Sequence, residues 1–189
     1  KTVRPDPKKF PDFDDDLAEA MKGEVVCAFH DVVGHNRSLL ELIDSDATFV
    51  NERLAKLYGL DGVKGPELRK VELRDRNRGG VVGMAAVLTV SSYPLRTSPV
   101  IRGKWILESL LGSKVPPPPP EAGSLPGNDA EKNALSFRER LEKHRSKPEC
   151  ASCHQKMDPL GFGLENFDPI GRWRTQDDGR PVDALGQLP

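Results

Sequence analysis

Cys150-Ala151-Ser152-Cys153-His154 is the stretch that organises the reading of this 189-residue chain. On a helical turn Cys150 and Cys153 stand at i and i+3, and His154 follows at i+4 from the first, so all three side chains project to one side. Cys-x-x-Cys-His is the attachment run for c-type haem. The two thiols add across the vinyl groups of one porphyrin as thioethers, and the imidazole of His154 becomes the proximal axial ligand of the iron. Two covalent anchors retain the ring where a small Pro- and Gly-rich segment offers no deep pocket. Pro148 is placed to open the helical turn and Asp158-Pro159 to close it. Two other chemistries use thiols at this spacing. A redox dithiol calls for a βαβ pattern around it, which is lacking. A structural zinc site needs further ligands, and Cys27 and His30, one turn apart on the first helix, complete a Cys3His set with Cys150 and Cys153. A histidine directly after the second cysteine serves haem attachment and is not required by zinc, so haem c, one per chain, is the leading expectation.

Outward from this motif the chain reads as helices joined by long loops. Leu17, Met21, Val25, Ala28 and Val32 share one stripe, which predicts a helix from about Asp14 to Val33 ended by Gly34. Ala47, Val50, Leu54, Leu57 and Tyr58 form a second stripe, with Asp46 or Thr48 as N-cap and Gly59 as the stop. From Leu60 to Gly80 no period fits, and the segment, with Arg74, Arg76 and Arg78 before Gly79-Gly80, is expected to be loop. Val81 to Val90 is short enough to be either a strand or a buried helix. Ser98-Pro99, the apolar Trp105, Ile106, Leu110 and Leu111, and then Gly112 predict a third helix. Pro116 to Pro120 fix φ and lack N–H donors, which makes an extended spacer. Ser136-Phe137-Arg138-Glu139 is a capping box that opens a fourth helix, with Phe137, Leu141 and His144 on one face. The expected domains are residues 1–115, a helical domain carrying the Gly-rich Met84 segment; 116–130, a proline-rich linker; and 131–189, the haem-attachment segment, truncated at its C-terminus.

Charge narrows the function classes. Lys and Arg total 28 against 29 Asp and Glu, which argues against a protein that reads phosphates through a basic face, so no nucleic-acid partner is expected. The longest apolar stretch, around Val81 to Val90, falls far short of the ~20 residues a membrane span needs. The polar opening Lys1 to Phe10 and the close at Leu188-Pro189 both read as cut ends.

Several further runs resemble the planctomycete cytochrome-c-related domains of unknown function. They are Leu88-Thr89-Val90-Ser91-Ser92-Tyr93-Pro94, Arg96-Thr97-Ser98-Pro99-Val100, Arg102-Gly103-Lys104-Trp105, the proline run, Cys153 to Phe162, and Leu164-Glu165-Asn166-Phe167-Asp168. Asp46 to Ala55 resembles the helical domain that precedes these in the same large secreted proteins. The resemblance spans nearly the whole chain and implies haem c, a multi-domain exported parent protein and a periplasmic or otherwise exported location. It supplies no established reaction, and Cys27 departs from the family pattern. The fold class expected is mainly α: a bundle-like helical segment plus a cytochrome c-like haem-binding segment with long loops.

The second axial position decides between electron transfer and catalysis. Met84, in the small-residue run Gly79 to Ala86, is the candidate, with core filling as its other reading; the resemblance implies that this position also accepts His. Met157, three residues after His154, starts on the proximal side and is not expected to reach the opposite face. Arg96, Arg102, Arg172, Trp173 and Arg174 are candidate donors to the haem propionates. Pro159 or Pro169 is expected to offer a carbonyl to the Nδ1–H of His154, and Phe162 and Phe167 to wall the ring. His144 is expected to border it at most, with His30 and His35 solvent-facing or structural. The function expected is single-electron transfer with a redox partner protein and other domains of the parent chain. A peroxidase- or oxidase-type enzyme, the zinc site and a scaffold with purely structural haem are the alternatives.

Overall fold

A computed structural model describes residues 3–75, 77–117, 137–144 and 148–187. The chain is mainly α, with six helices and four short strands among the described residues. No described helix is long and apolar enough to cross a membrane. Contacts gather the chain into two units, Lys1–Ser98 with Leu164–Val182, and Pro99–Gly163 with Asp183–Pro189. Residues 118–136, which hold most of the proline run, the expected linker and the Ser136 cap, lie outside the described residues, as does Arg76.

The first unit is built on α1 (Asp15–Gly34), opened by Asp14, whose carboxylate accepts the Leu17 N–H at 2.9 Å. Its buried face is Leu17, Ala20, Met21, Glu24 and Val32, so a carboxyl group sits in the middle of the apolar stripe. The second expected helix is split. Ala47–Val50 is a strand, β1, paired antiparallel with β2 (Arg69–Glu72), with Ala47 opposite Glu72 and Val50 opposite Arg69. The β-branched and aromatic run Thr48-Phe49-Val50 fits a pleated surface, turning Thr48 and Val50 inward. The helix α2 starts only at Glu52, capped by Asn51 rather than Asp46 or Thr48, and ends at Tyr58 against a left-handed Gly59. β2 lies inside the expected loop; three of its four side chains are exposed, so no alternating pattern marks it.

Val81 to Val90 is helical: one 3-10 turn, Val81–Gly83, then α3 (Ala85–Val90) with Ala85 and Leu88 fully buried. α1, β1, α2, α3 and Ile170 close around one core that includes Met21, Val50 and Leu54. A final hairpin, β3 (Gln176–Asp177) and β4 (Arg180–Pro181), turns at Asp178-Gly179, both at positive φ.

The second unit is α4 (Pro99–Ser109), α5 (Phe137–His144) and α6 (Pro148–Phe162). α4 and α6 run antiparallel at backbone contact. A Cβ on Gly103 would lie 1.8 Å from the Met157 carbonyl oxygen, and one on Gly161 would lie 1.8 Å from that of Pro99. Leu107, Met157 and Leu160 are the core between them. Asp158-Pro159 does not end α6. The helix runs on to Phe162 with Pro159 inside it, because burial of Leu160 and Phe162 retains a turn that the missing N–H weakens.

Candidate functional site

α6 carries Cys150, Cys153 and His154 on consecutive turns of one helix. Both cysteines are half-buried free thiols, and Cys153 packs against the Leu107–Met157–Leu160 core, so the helix is anchored on one side while its motif side chains remain reachable. Met157 belongs to that core, 5% exposed, which occupies its thioether in packing.

The histidine is oriented by a residue that the sequence reading passed over. His154 Nδ1 lies 3.0 Å and 3.2 Å from the two carboxylate oxygens of Asp158, one turn further along α6. The Asp158 side chain is fully buried and that of His154 is 17% exposed. With Nδ1 as the donor to this carboxylate, Nε2 is the ring nitrogen that a metal would take. Two thiols and an oriented imidazole are the donor set that haem c requires, and the residues present fit that group. The expected orienting carbonyl is thereby corrected: Asp158 holds Nδ1, and the Pro159 carbonyl accepts the N–H of Gln187 at 3.2 Å. The signal was present in the sequence as an acidic residue at i+4 from the histidine.

The other expected residues fall as follows. Arg102 is fully buried on α4. Phe162 is buried under the Arg138 guanidinium at 3.8 Å, and Arg138 pairs with Asp183 at 2.7 Å. In the first unit, Met84 caps the N-terminus of α3, 5% exposed. Arg96 lies over the Tyr93 ring at 4.5 Å and donates to the Thr97 carbonyl. Arg172 pairs with Asp12 at 2.9 Å, and Arg174 with Asp177 at 2.5 Å and Glu165 at 3.5 Å, so both guanidinium charges already face carboxylates. Trp173 is 37% exposed and meets Phe167 edge-on at 5.1 Å. With Tyr58, Arg74 and Arg78 these two rings line an open cleft of about 220 Å3. His30 and His35 are exposed and Cys27 is half-buried on α1, while the His144 side chain lies outside the described residues. Among the described residues no three His, Cys, Asp or Glu side chains gather as a metal-ligand cluster, so the Cys27, His30, Cys150, Cys153 set gains no support.

A second polar group missed in the sequence lies in the core of the first unit. Thr48 Oγ1 donates to Glu24 Oε1 at 2.5 Å, Tyr58 Oη donates to Glu24 Oε2 at 2.6 Å, and the Ala85 N–H donates to Tyr58 Oη at 2.8 Å. Burial pushes the Glu24 carboxyl up to about 7, against the opposing hydrogen bonds of Thr48 and Tyr58. Burial also lowers the Arg78 guanidinium from its ordinary value. That guanidinium stacks 3.6 Å from the Tyr58 ring centre and 4.6 Å from that of Phe167, and donates to the carbonyls of Gly83 and Gly171. Glu24 occupies a core position of α1, seven residues after Leu17, and a charge at such a position is the mark that sequence reading could have used.

A family model for PSCyt3, a protein of unknown function (DUF1588), matches residues 78–177, more than half of the chain. The chain belongs to the PSCyt3 family. PSCyt3 is a planctomycete cytochrome-related domain of unknown function, in line with the resemblance carried by the motifs. The PSCyt3 match takes in Met84, Arg96, Arg102, the whole Cys150–His154 motif, Asp158 and Trp173. A second model, PSD4, also a protein of unknown function (DUF1592), matches residues 1–60, which hold Glu24, Cys27 and His30. No curated protein and no solved structure matches the chain.

Proposed function

We propose that this chain is a c-type cytochrome domain that holds one haem through thioethers to Cys150 and Cys153, with His154 as the proximal ligand, and passes single electrons. The observation that carries the reading is the Nδ1 contact of His154 to Asp158, which orients the imidazole on the same helix as two free thiols. When bound, haem supplies a one-electron couple at its iron. The chain's own residues do the rest. α4 buttresses α6 through the Gly103 and Gly161 contacts, which keeps the three motif side chains in register. Asp158 orients the imidazole. Met84 would be the second donor to the iron, and a Met/His pair would favour electron transfer over peroxidase or oxidase chemistry. Arg102, buried within the attachment unit, is the first of the proposed propionate donors, followed by Arg96 and Trp173. The partners proposed are a redox protein and further domains of a parent chain. The location is the periplasm or another exported compartment, where haem c is attached.

The test is expression of the chain with a haem c maturation system, followed by mass measurement after denaturation and acid-acetone extraction. A mass increased by one haem that resists extraction, and that disappears in Cys150→Ala/Cys153→Ala, is the result expected. A denatured mass equal to that of the bare polypeptide overturns the proposal.

A further inference from the structure

We infer that Asp158 tunes the electron affinity of this site, giving the bound haem a lower midpoint potential than a neutral acceptor in the same place would. The inference rests on the haem reading above and goes beyond it, because it names the residue that tunes the potential of the site. An axial histidine commonly donates Nδ1–H to a backbone carbonyl, to water or to a carboxylate. Here the acceptor is a carboxylate, with both oxygens within 3.2 Å of Nδ1. At the solvent-exposed surface such an i,i+4 pair would be screened and worth little. Asp158 is fully buried, so its charge acts on the imidazole through a medium of low dielectric constant.

Two effects follow, and they point the same way. A strong acceptor draws the Nδ1 proton toward itself, giving the ring partial imidazolate character and making Nε2 a stronger donor to iron. The ferric site carries one positive charge more than the ferrous site, so a fixed negative charge on its ligand stabilises ferric over ferrous. Reduction adds one electron to the iron from an external one-electron donor protein. No bond is made or broken, and the Nδ1 proton stays between His154 and Asp158. The carboxylate therefore makes the site a weaker electron acceptor than it would be with a neutral hydrogen-bond acceptor in its place. Asp158 is a positioning residue in this scheme, since it acts only through His154.

The experiment compares the midpoint potential of the haem-loaded full chain with that of Asp158→Asn, after the mass of each has shown covalent haem. Asn keeps the shape and still accepts the Nδ1–H, so it removes charge while preserving orientation. The expected result is a haem-loaded variant whose midpoint potential is raised by at least a tenfold change in the oxidised-to-reduced ratio, about 59 mV for one electron. Asp158→Ser, a smaller neutral acceptor, gives the same comparison if the Asn chain does not fold. A neutral variant that carries haem at the wild-type potential overturns the inference and leaves the haem reading intact. A wild-type chain that never acquires haem removes the haem reading, and this inference with it.

Discussion

Tyr58 Oη donates to Glu24 Oε2 at 2.6 Å and at the same time accepts the Ala85 N–H at 2.8 Å, so one phenol ties α1, α2 and α3 together. Tyr58→Phe keeps the ring under Arg78 but leaves a buried carboxyl oxygen and a buried N–H short of a partner. The expected loss is about 1–3 kcal/mol of unfolding free energy. Urea titration of the two proteins measures it, and a change below about 0.5 kcal/mol would mean that water replaces the hydroxyl in both roles.

Glu24 makes stability depend on pH in a direction opposite to that of most carboxylates. Its folded carboxyl is raised to about 7 from an ordinary 4.5, so between those values the folded state holds more protons than the unfolded state. Stability is therefore greatest below about 4.5, falls as pH rises through 7, and is level beyond that, as far as this group is concerned. The contribution is on the order of 3 kcal/mol. Denaturant titrations at a series of pH values should show this fall in the wild type and its absence in Glu24→Gln. Identical pH profiles for the two chains would contradict the burial argument.

Gly103 faces a carbonyl with no room for a side chain. Gly103→Ala places a Cβ where the Met157 oxygen lies 1.8 Å away, and α4 must shift from α6. Overpacking of this kind costs about 1–3 kcal/mol or more. A lower melting temperature and a reduced yield of haem-loaded chain are expected together, because the same contact buttresses the motif helix. Wild-type melting and loading in the variant would show that α4 yields without cost.

Met84 is nearly buried at the start of α3, and its role separates two kinds of haem site. If it is the second axial ligand, Met84→Ala opens the iron. The variant then binds carbon monoxide in the ferrous state, whereas the wild type resists it. An unaltered visible spectrum in the variant assigns Met84 to the core alone.

Much of the chain was legible because local rules agree with the final packing. Asp14 caps α1, Gly59 stops α2, Pro99 opens α4, and Cys150, Cys153 and His154 share a helix face, each through contacts within a few residues. Where the reading failed, a distant partner decided. Ala47–Val50 has an apolar spacing that also fits a helix, and it is a strand because β2 pairs with it from about twenty residues away. β2 itself carries no alternation, since only Val71 of its four residues turns from solvent. Pro159 looked like a stop and is retained inside α6 by the burial of Leu160 and Phe162.

The sequence by itself determined which three side chains are offered together, Cys150, Cys153 and His154, because they stand at helical spacing and helical spacing is a local property. The tertiary structure alone decided which charges are buried. Asp158 and Glu24 read as ordinary acidic residues along the chain, yet both end with no solvent exposure beside a histidine ring in one case and a tyrosine hydroxyl in the other. Burial is set by everything that packs around a group, and the electrostatic strength of a carboxylate depends on burial more than on its identity.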